Sequence, residues 1–165
     1  MRHAIVLVLM VLALPALLPA GAAAQPVDGE SQHEGYYYPA LTSAEFYRAR
    51  ARVLPQSTRE RRIAFITGLT VAQMARPYAP GYVIFAKGEA AQKLLIVSLG
   101  DNGFRTLYQA RAQLAQLTST ARATPLLREL AVDDLFTFFD VVRMLGFEQV
   151  TVSDGASFAH QVTLE

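Results

Sequence analysis

Two unbroken apolar runs, Tyr82-Val83-Ile84-Phe85 and Leu94-Leu95-Ile96-Val97, constrain this chain more than any other feature. Neither alternates with polar residues, so each reads as a strand covered on both faces and central in a sheet. Lys87 to Gln92 separates them, a polar stretch that suits a turn between antiparallel neighbours. The expected hairpin pairs 82–86 with 93–98 and needs helices to cover it.

Four helices are predicted. Thr42 with Glu45 three residues on is the pattern of a capping box and opens a helix over 43–53, ended by Pro55. Ser57 with Glu60 repeats the device. Ile63, Ile66, Leu69 and Met74 then recur at helical spacing, giving a helix over 58–75 closed by Pro77 and Pro80. Asp101-Asn102-Gly103 offers a turn and an N-cap for a helix over 104–120, with Leu107, Ala110, Leu114 and Leu117 inward. Asp133 or Asp134 begins a fourth helix over 133–145, apolar nearly all round and therefore the most buried, with Gly146 as its C′ residue.

A second hairpin, 148–153 with 157–164, turns around Asp154-Gly155. A two-residue loop would set Val150 and Val152 on the opposite face from Phe158, Val162 and Leu164. An odd loop pairs Val152 with Phe158, sets His160 beside Val150 and gathers all five apolar residues on one face, so the odd loop is expected. The reading is an α+β domain of about four antiparallel strands in two hairpins covered by about four helices.

Ahead of the domain, Arg2 and His3 precede an apolar stretch from Ala4 to Leu18 and the small residues Ala22-Ala23-Ala24. This is the pattern of a cleavable secretory signal over 1–24. It is too short for an anchor, which takes about 20 apolar residues, so no transmembrane segment is expected after cleavage. The polar stretch 25–40 reads as a flexible lead-in, and 41–165 as the single domain. The expected destination is the periplasm or the exterior. No twin arginine is present, so passage unfolded and without a loaded cofactor is expected. With no cysteine, no disulfide helps the fold and a hydrophobic core must hold it.

The chain has 15 basic and 14 acidic residues; without Arg2 the counts are equal. That balance argues against nucleic acid as a partner. The distribution is uneven: Arg48, Arg50, Arg52, Arg59, Arg61 and Arg62 crowd one stretch, and acids dominate beyond Glu129. Arg48, Arg52, Arg59 and Arg62, together with Tyr36, Tyr37 and Tyr38, are the candidate surface for a protein partner.

The familiar catalytic signatures are missing: no Gly-x-Ser-x-Gly, no phosphate-cradling Gly-Lys-Ser/Thr, no His-Glu-x-x-His. After cleavage of the leader only His33 and His160 would remain, too few for a structural zinc site, so neither metal nor cofactor is expected. His160 on an apolar face needs a polar partner. Its bland role is a satisfied core histidine; its sharper role is catalysis with Ser157 or Asp154, a hydrolase-like set. Lys87 and Arg105 are candidates for holding an anion.

Tyr36-Tyr37-Tyr38-Pro39, Pro77-Tyr78-Ala79-Pro80 and Ile84-Phe85-Ala86-Lys87-Gly88 resemble a group of small exported bacterial proteins of uncertain role. So do Thr106-Leu107-Tyr108, Ala110-Arg111-Ala112, Leu145-Gly146-Phe147, Ser153-Asp154-Gly155 and His160. Some of that group carry the label molybdopterin-guanine dinucleotide biosynthesis protein A. The label implies a glycine-rich loop with a basic residue near the N-terminus and cytoplasmic GTP chemistry. This sequence has no such loop and is addressed elsewhere. The expectation is therefore an exported accessory or binding protein without catalysis, with a small hydrolase centred on His160 as the alternative.

Overall fold

The computed structural model describes residues 39–100, 103–122 and 131–165. The expected leader, most of the lead-in with Tyr36, Tyr37 and Tyr38, and the Asp101-Asn102 cap lie outside them. Among the described residues the architecture is α+β: a five-stranded mixed sheet and three helices. In chain order the elements are β1 (Ser43–Tyr47), α1 (Arg59–Met74), β2 (Tyr82–Lys87) and β3 (Lys93–Ser98). They are followed by α2 (Leu107–Arg122), α3 (Phe138–Met144), β4 (Gln149–Ser153) and β5 (Ala159–Leu164).

The sheet runs β1-β5-β4-β3-β2. The two hairpins are present and antiparallel, but they meet through a parallel β3–β4 pair, Leu94 opposite Val150 and Ile96 opposite Val152. Parallel neighbours need a crossover, which α2 and α3 supply. The order also corrects one expectation: β2 is an edge strand, and Phe85 is exposed.

The largest correction falls on 43–53. Ser43–Tyr47 is a strand, parallel to β5. Thr42 caps no helix; its hydroxyl donates to the Ala159 carbonyl at 2.8 Å, and its amide donates to the same oxygen. Tertiary bonds overrode the local signal, because Ser43, Glu45 and Tyr47 all find partners on the covered face of the sheet.

One face carries the core. Ile84, Leu94, Ile96, Val150, Val152, Val162 and Leu164 point to it. They pack with Ile66 of α1, Leu114 and Leu117 of α2, and Phe138 and Val142 of α3. The β4–β5 register places Val152 opposite His160 and Val150 opposite Val162, two residues from the expected pairing. An even shift keeps every side chain on its face, so the odd loop and the shared apolar face hold. The loop is five residues because the Asp154 carboxylate collects the amides of Ala156, Ser157 and Phe158.

Helix boundaries moved where caps were misread. Thr58, not Ser57, caps α1. Thr106 with Gln109 starts α2, the hydroxyl accepting from the Gln109 amide. The last helix starts late, at Phe138, because Thr137 and Asp140 form a complete capping box; Asp133 and Asp134 precede it. Phe138 is its deep ring, while Phe139 is only half-buried and lies against Tyr47. Its end follows the expectation: Gly146, at φ 84°, donates to the Arg143 carbonyl and Phe147 to that of Val142, a Schellman ending.

Candidate functional site

β3 and β4 are parallel, so their carboxyl ends, Ser98 and Ser153, lie at the same edge of the sheet. In open sheets with helical crossovers, that is where ligands bind. A cleft of about 250 Å³ opens there, lined among others by Ser98, Gly103, Arg105, Asp154 and Ser157. Gly103 is required by close approach, because a Cβ there would collide with Ser98 Oγ. Arg105, just before α2, is exposed, and its amide donates to Gln109 Oε1 at 2.9 Å, which fixes its backbone. Three of the residues singled out in the sequence thus line one cleft.

Two of those three have structural duties. Asp154 Oδ1 accepts from the amides of Ala156, Ser157 and Phe158, each at 2.8 Å, and Oδ2 from the Ser157 hydroxyl at 3.0 Å. Partial burial alone would raise its pKa, but the donated hydrogen bonds outweigh it and pull the carboxyl down to about 2. A carboxylate so occupied is a poor general base, and Ser157 donates to it rather than to a histidine.

His160 does not line this cleft. It sits on β5 at 1% exposure, its Nδ1 2.9 Å from Ser43 Oγ on β1. Its Nε2 lies 3.2 Å from Glu45 Oε1 but makes no aligned hydrogen bond. Distance alone would call this an ion pair; the ring's N–H direction argues for a close polar contact instead. Arg111 of α2 holds the other oxygen of Glu45. Burial pushes the Glu45 pKa up, but the contacts with Arg111 and His160 leave it below the usual value.

Lys87 stands opposite Lys93 at the other end of β2 and β3, so it and Arg105 do not share a site. Arg48, Arg52 and Arg59 are exposed. Arg62 is not a surface residue. It is buried among carbonyls: Nε and Nη2 donate to Ala90 at 3.0 and 2.8 Å, and Nη1 reaches Leu145 at 3.2 Å. Its charge rests at the C-terminal end of α3, where the helix dipole is negative. It ties α1 to the β2–β3 turn and to the end of α3.

A second polar cluster escaped the sequence reading. Asp140 is fully buried; Oδ1 accepts from the Arg50 amide at 2.7 Å, and Oδ2 from the Thr137 amide at 2.8 Å and the Tyr47 hydroxyl at 3.1 Å. Desolvation raises its pKa and these donors lower it, the donors prevailing. Thr137-x-x-Asp140 was the available signal; nothing near Ser43, Glu45 or Tyr47 in sequence announced their partners. Among the described residues no group of three or more His, Asp or Glu is placed to hold a metal. No helix there is long and apolar enough to cross a membrane. No family model, curated protein or solved structure matches the chain.

Proposed function

We propose that this chain is an exported accessory protein that binds a small polar molecule, meeting its anionic group with Arg105, and makes no bonds of its own. The cleft carries this reading. It gathers the exposed Arg105 with Ser98 and Ser157 around one opening at the carboxyl ends of two parallel strands. Its one described carboxylate, Asp154, is occupied by its own loop. The hydrolase alternative needs Ser157 or Asp154 within hydrogen-bond reach of His160. Instead the histidine is buried against Ser43, so the geometry favours binding.

The test is thermal unfolding of the purified protein with phosphate, sulfate and small carboxylates. A bound anion should raise the midpoint by mass action, and Arg105→Gln should abolish the rise without changing the midpoint of the free protein. Equal stabilisation of the variant would remove the cleft from the reading. Ester or phosphoester turnover lost in His160→Gln would replace it with the hydrolase. Export is tested separately by intact mass: the mature chain should begin at Gln25, or at Ala23 if Ala20-Gly21-Ala22 is cut. Met1 retained in a membrane fraction would sink that part.

A further inference from the structure

The cleft at the ends of β3 and β4 is lined by residues of both charge signs that do not neutralise each other. Arg105 enters from the start of α2, and Asp154 from the loop between β4 and β5. Among the described residues no ion pair joins the two, and the Arg105 guanidinium donates no hydrogen bond. Opposite charges around one small opening ordinarily pair with each other; these two leave a gap.

Both groups are held before any ligand arrives. The Arg105 backbone is fixed by Gln109, and the Asp154 carboxylate by three loop amides on Oδ1. Its other oxygen, Oδ2, accepts only the hydroxyl of Ser157, itself a cleft residue. Each carboxylate oxygen accepts about two donors, so Oδ2 has room for one more. The bonds that hold Asp154 also pull its pKa to about 2, so it stays ionised at neutral pH.

We infer that the ligand of this cleft is a zwitterion, a small free α-amino acid, whose carboxylate meets Arg105 and whose ammonium meets Asp154 Oδ2. The inference rests on the binding reading of the cleft and names the ligand within it. Phosphate or sulfate would satisfy Arg105 but bring negative charge toward an ionised carboxylate. A simple amine would meet the converse conflict at Arg105. A molecule carrying both charges a few atoms apart removes both conflicts, and it bridges the gap that the two side chains leave open. The cleft, at about 250 Å³, suits a ligand of that size rather than a drug-sized one.

Isothermal titration calorimetry on the full mature chain tests this with L-alanine, propionate, N-acetylalanine and phosphate. The parent should bind alanine about tenfold more tightly than propionate, because only alanine supplies a donor for Asp154. N-acetylalanine keeps the carboxylate and loses the ammonium charge, so it should bind as propionate does, a comparison that needs no mutation. Arg105→Gln should lose alanine and propionate alike. Asp154→Asn keeps an oxygen for the loop amides but not the charge, so the preference for alanine over propionate should collapse to about one. Propionate, N-acetylalanine or phosphate binding as tightly as alanine would overturn the inference and leave Arg105 as a plain anion site. No heat from any of the four would overturn the binding reading together with it. An alanine preference that survives Asp154→Asn would place the ammonium elsewhere and overturn the assignment.

Discussion

The sheet contains two parallel seams with the same backbone pattern and opposite side-chain chemistry. Between β3 and β4, Leu94 meets Val150 and Ile96 meets Val152, all nearly fully buried. Between β1 and β5, Ser43 meets His160, Glu45 meets Val162 and Tyr47 meets Leu164, and the inward groups of β1 are polar. Apolar contact is non-directional and survives small adjustments. The outer seam instead depends on particular bonds, Ser43 to His160 and Tyr47 to Asp140. Removing any one partner leaves another buried group unmet. The central seam therefore supplies stability, and the outer seam sets where the edge strand sits.

The largest effect should come from the apolar seam. Ile96→Ala removes a fully buried side chain with little room to relax and should cost about 2–5 kcal/mol in urea unfolding followed by circular dichroism. A loss under about 1 kcal/mol would mean the centre of the sheet is not the core. The slope of stability against pH should stay that of the parent, since no titrating group is lost.

Asp140→Ala should cost about 2–3 kcal/mol, because it removes the N3 partner of the α3 capping box, strands the Arg50 amide and leaves the Tyr47 hydroxyl with Thr137 alone. Here the pH dependence should change. Asp140 and Glu45 are both lowered in the fold. Their stabilisation is complete above their unfolded values, about 3.9 and 4.3, and is lost as pH falls through the lower folded ones. Asp140→Asn should flatten that acid loss. An unchanged acid slope would show that the outer seam is not held by charge.

These differences also explain what the sequence revealed. Continuous apolar runs named β2 and β3, and the apolar face common to Val150, Val152, Val162 and Leu164 selected an odd loop. Burial leaves a mark in composition. β1 left the wrong mark: its inward residues are Ser43, Glu45 and Tyr47, its outward ones Ala44 and the exposed Phe46. With the usual alternation inverted and Thr42-x-x-Glu45 mimicking a cap, only partners more than a hundred residues away, such as His160, could reveal a strand. Arg62 failed for the same reason, since nothing local distinguishes a caged arginine from its exposed neighbours. At the site, Asp154, Ser157 and Arg105 were legible as polar residues near turns. That they share a cleft depended on a parallel β3–β4 pair, which two hairpins in sequence do not disclose.

His160 tests the outer seam from the other strand. His160→Gln should cost about 1–2 kcal/mol, since a buried amide can still meet Ser43 but not with the ring's shape. Anion stabilisation through Arg105 should be unchanged. A variant as stable as the parent but deaf to anions would join the seam to the cleft and break the comparison.

The smallest effect belongs to the loop beside the cleft. Asp154→Ala removes the acceptor of three amides and one hydroxyl, but the loop is partly open to water, which takes over several of those bonds. The expected cost is about 1 kcal/mol. Because the folded pKa of Asp154 is about 2, its stabilisation is fully present above the unfolded value and disappears as pH falls from about 4 toward 2. Asp154→Ala should therefore lose that part of the parent's acid transition and keep the part that Asp140 causes. The cleft should respond more than the sheet does: with the loop loosened beside Ser98 and Arg105, anion stabilisation should shrink although the urea midpoint moves little. A cost as large as that of Asp140→Ala would make this loop a support of the sheet, and the division between a structural seam and an adaptable rim would not stand.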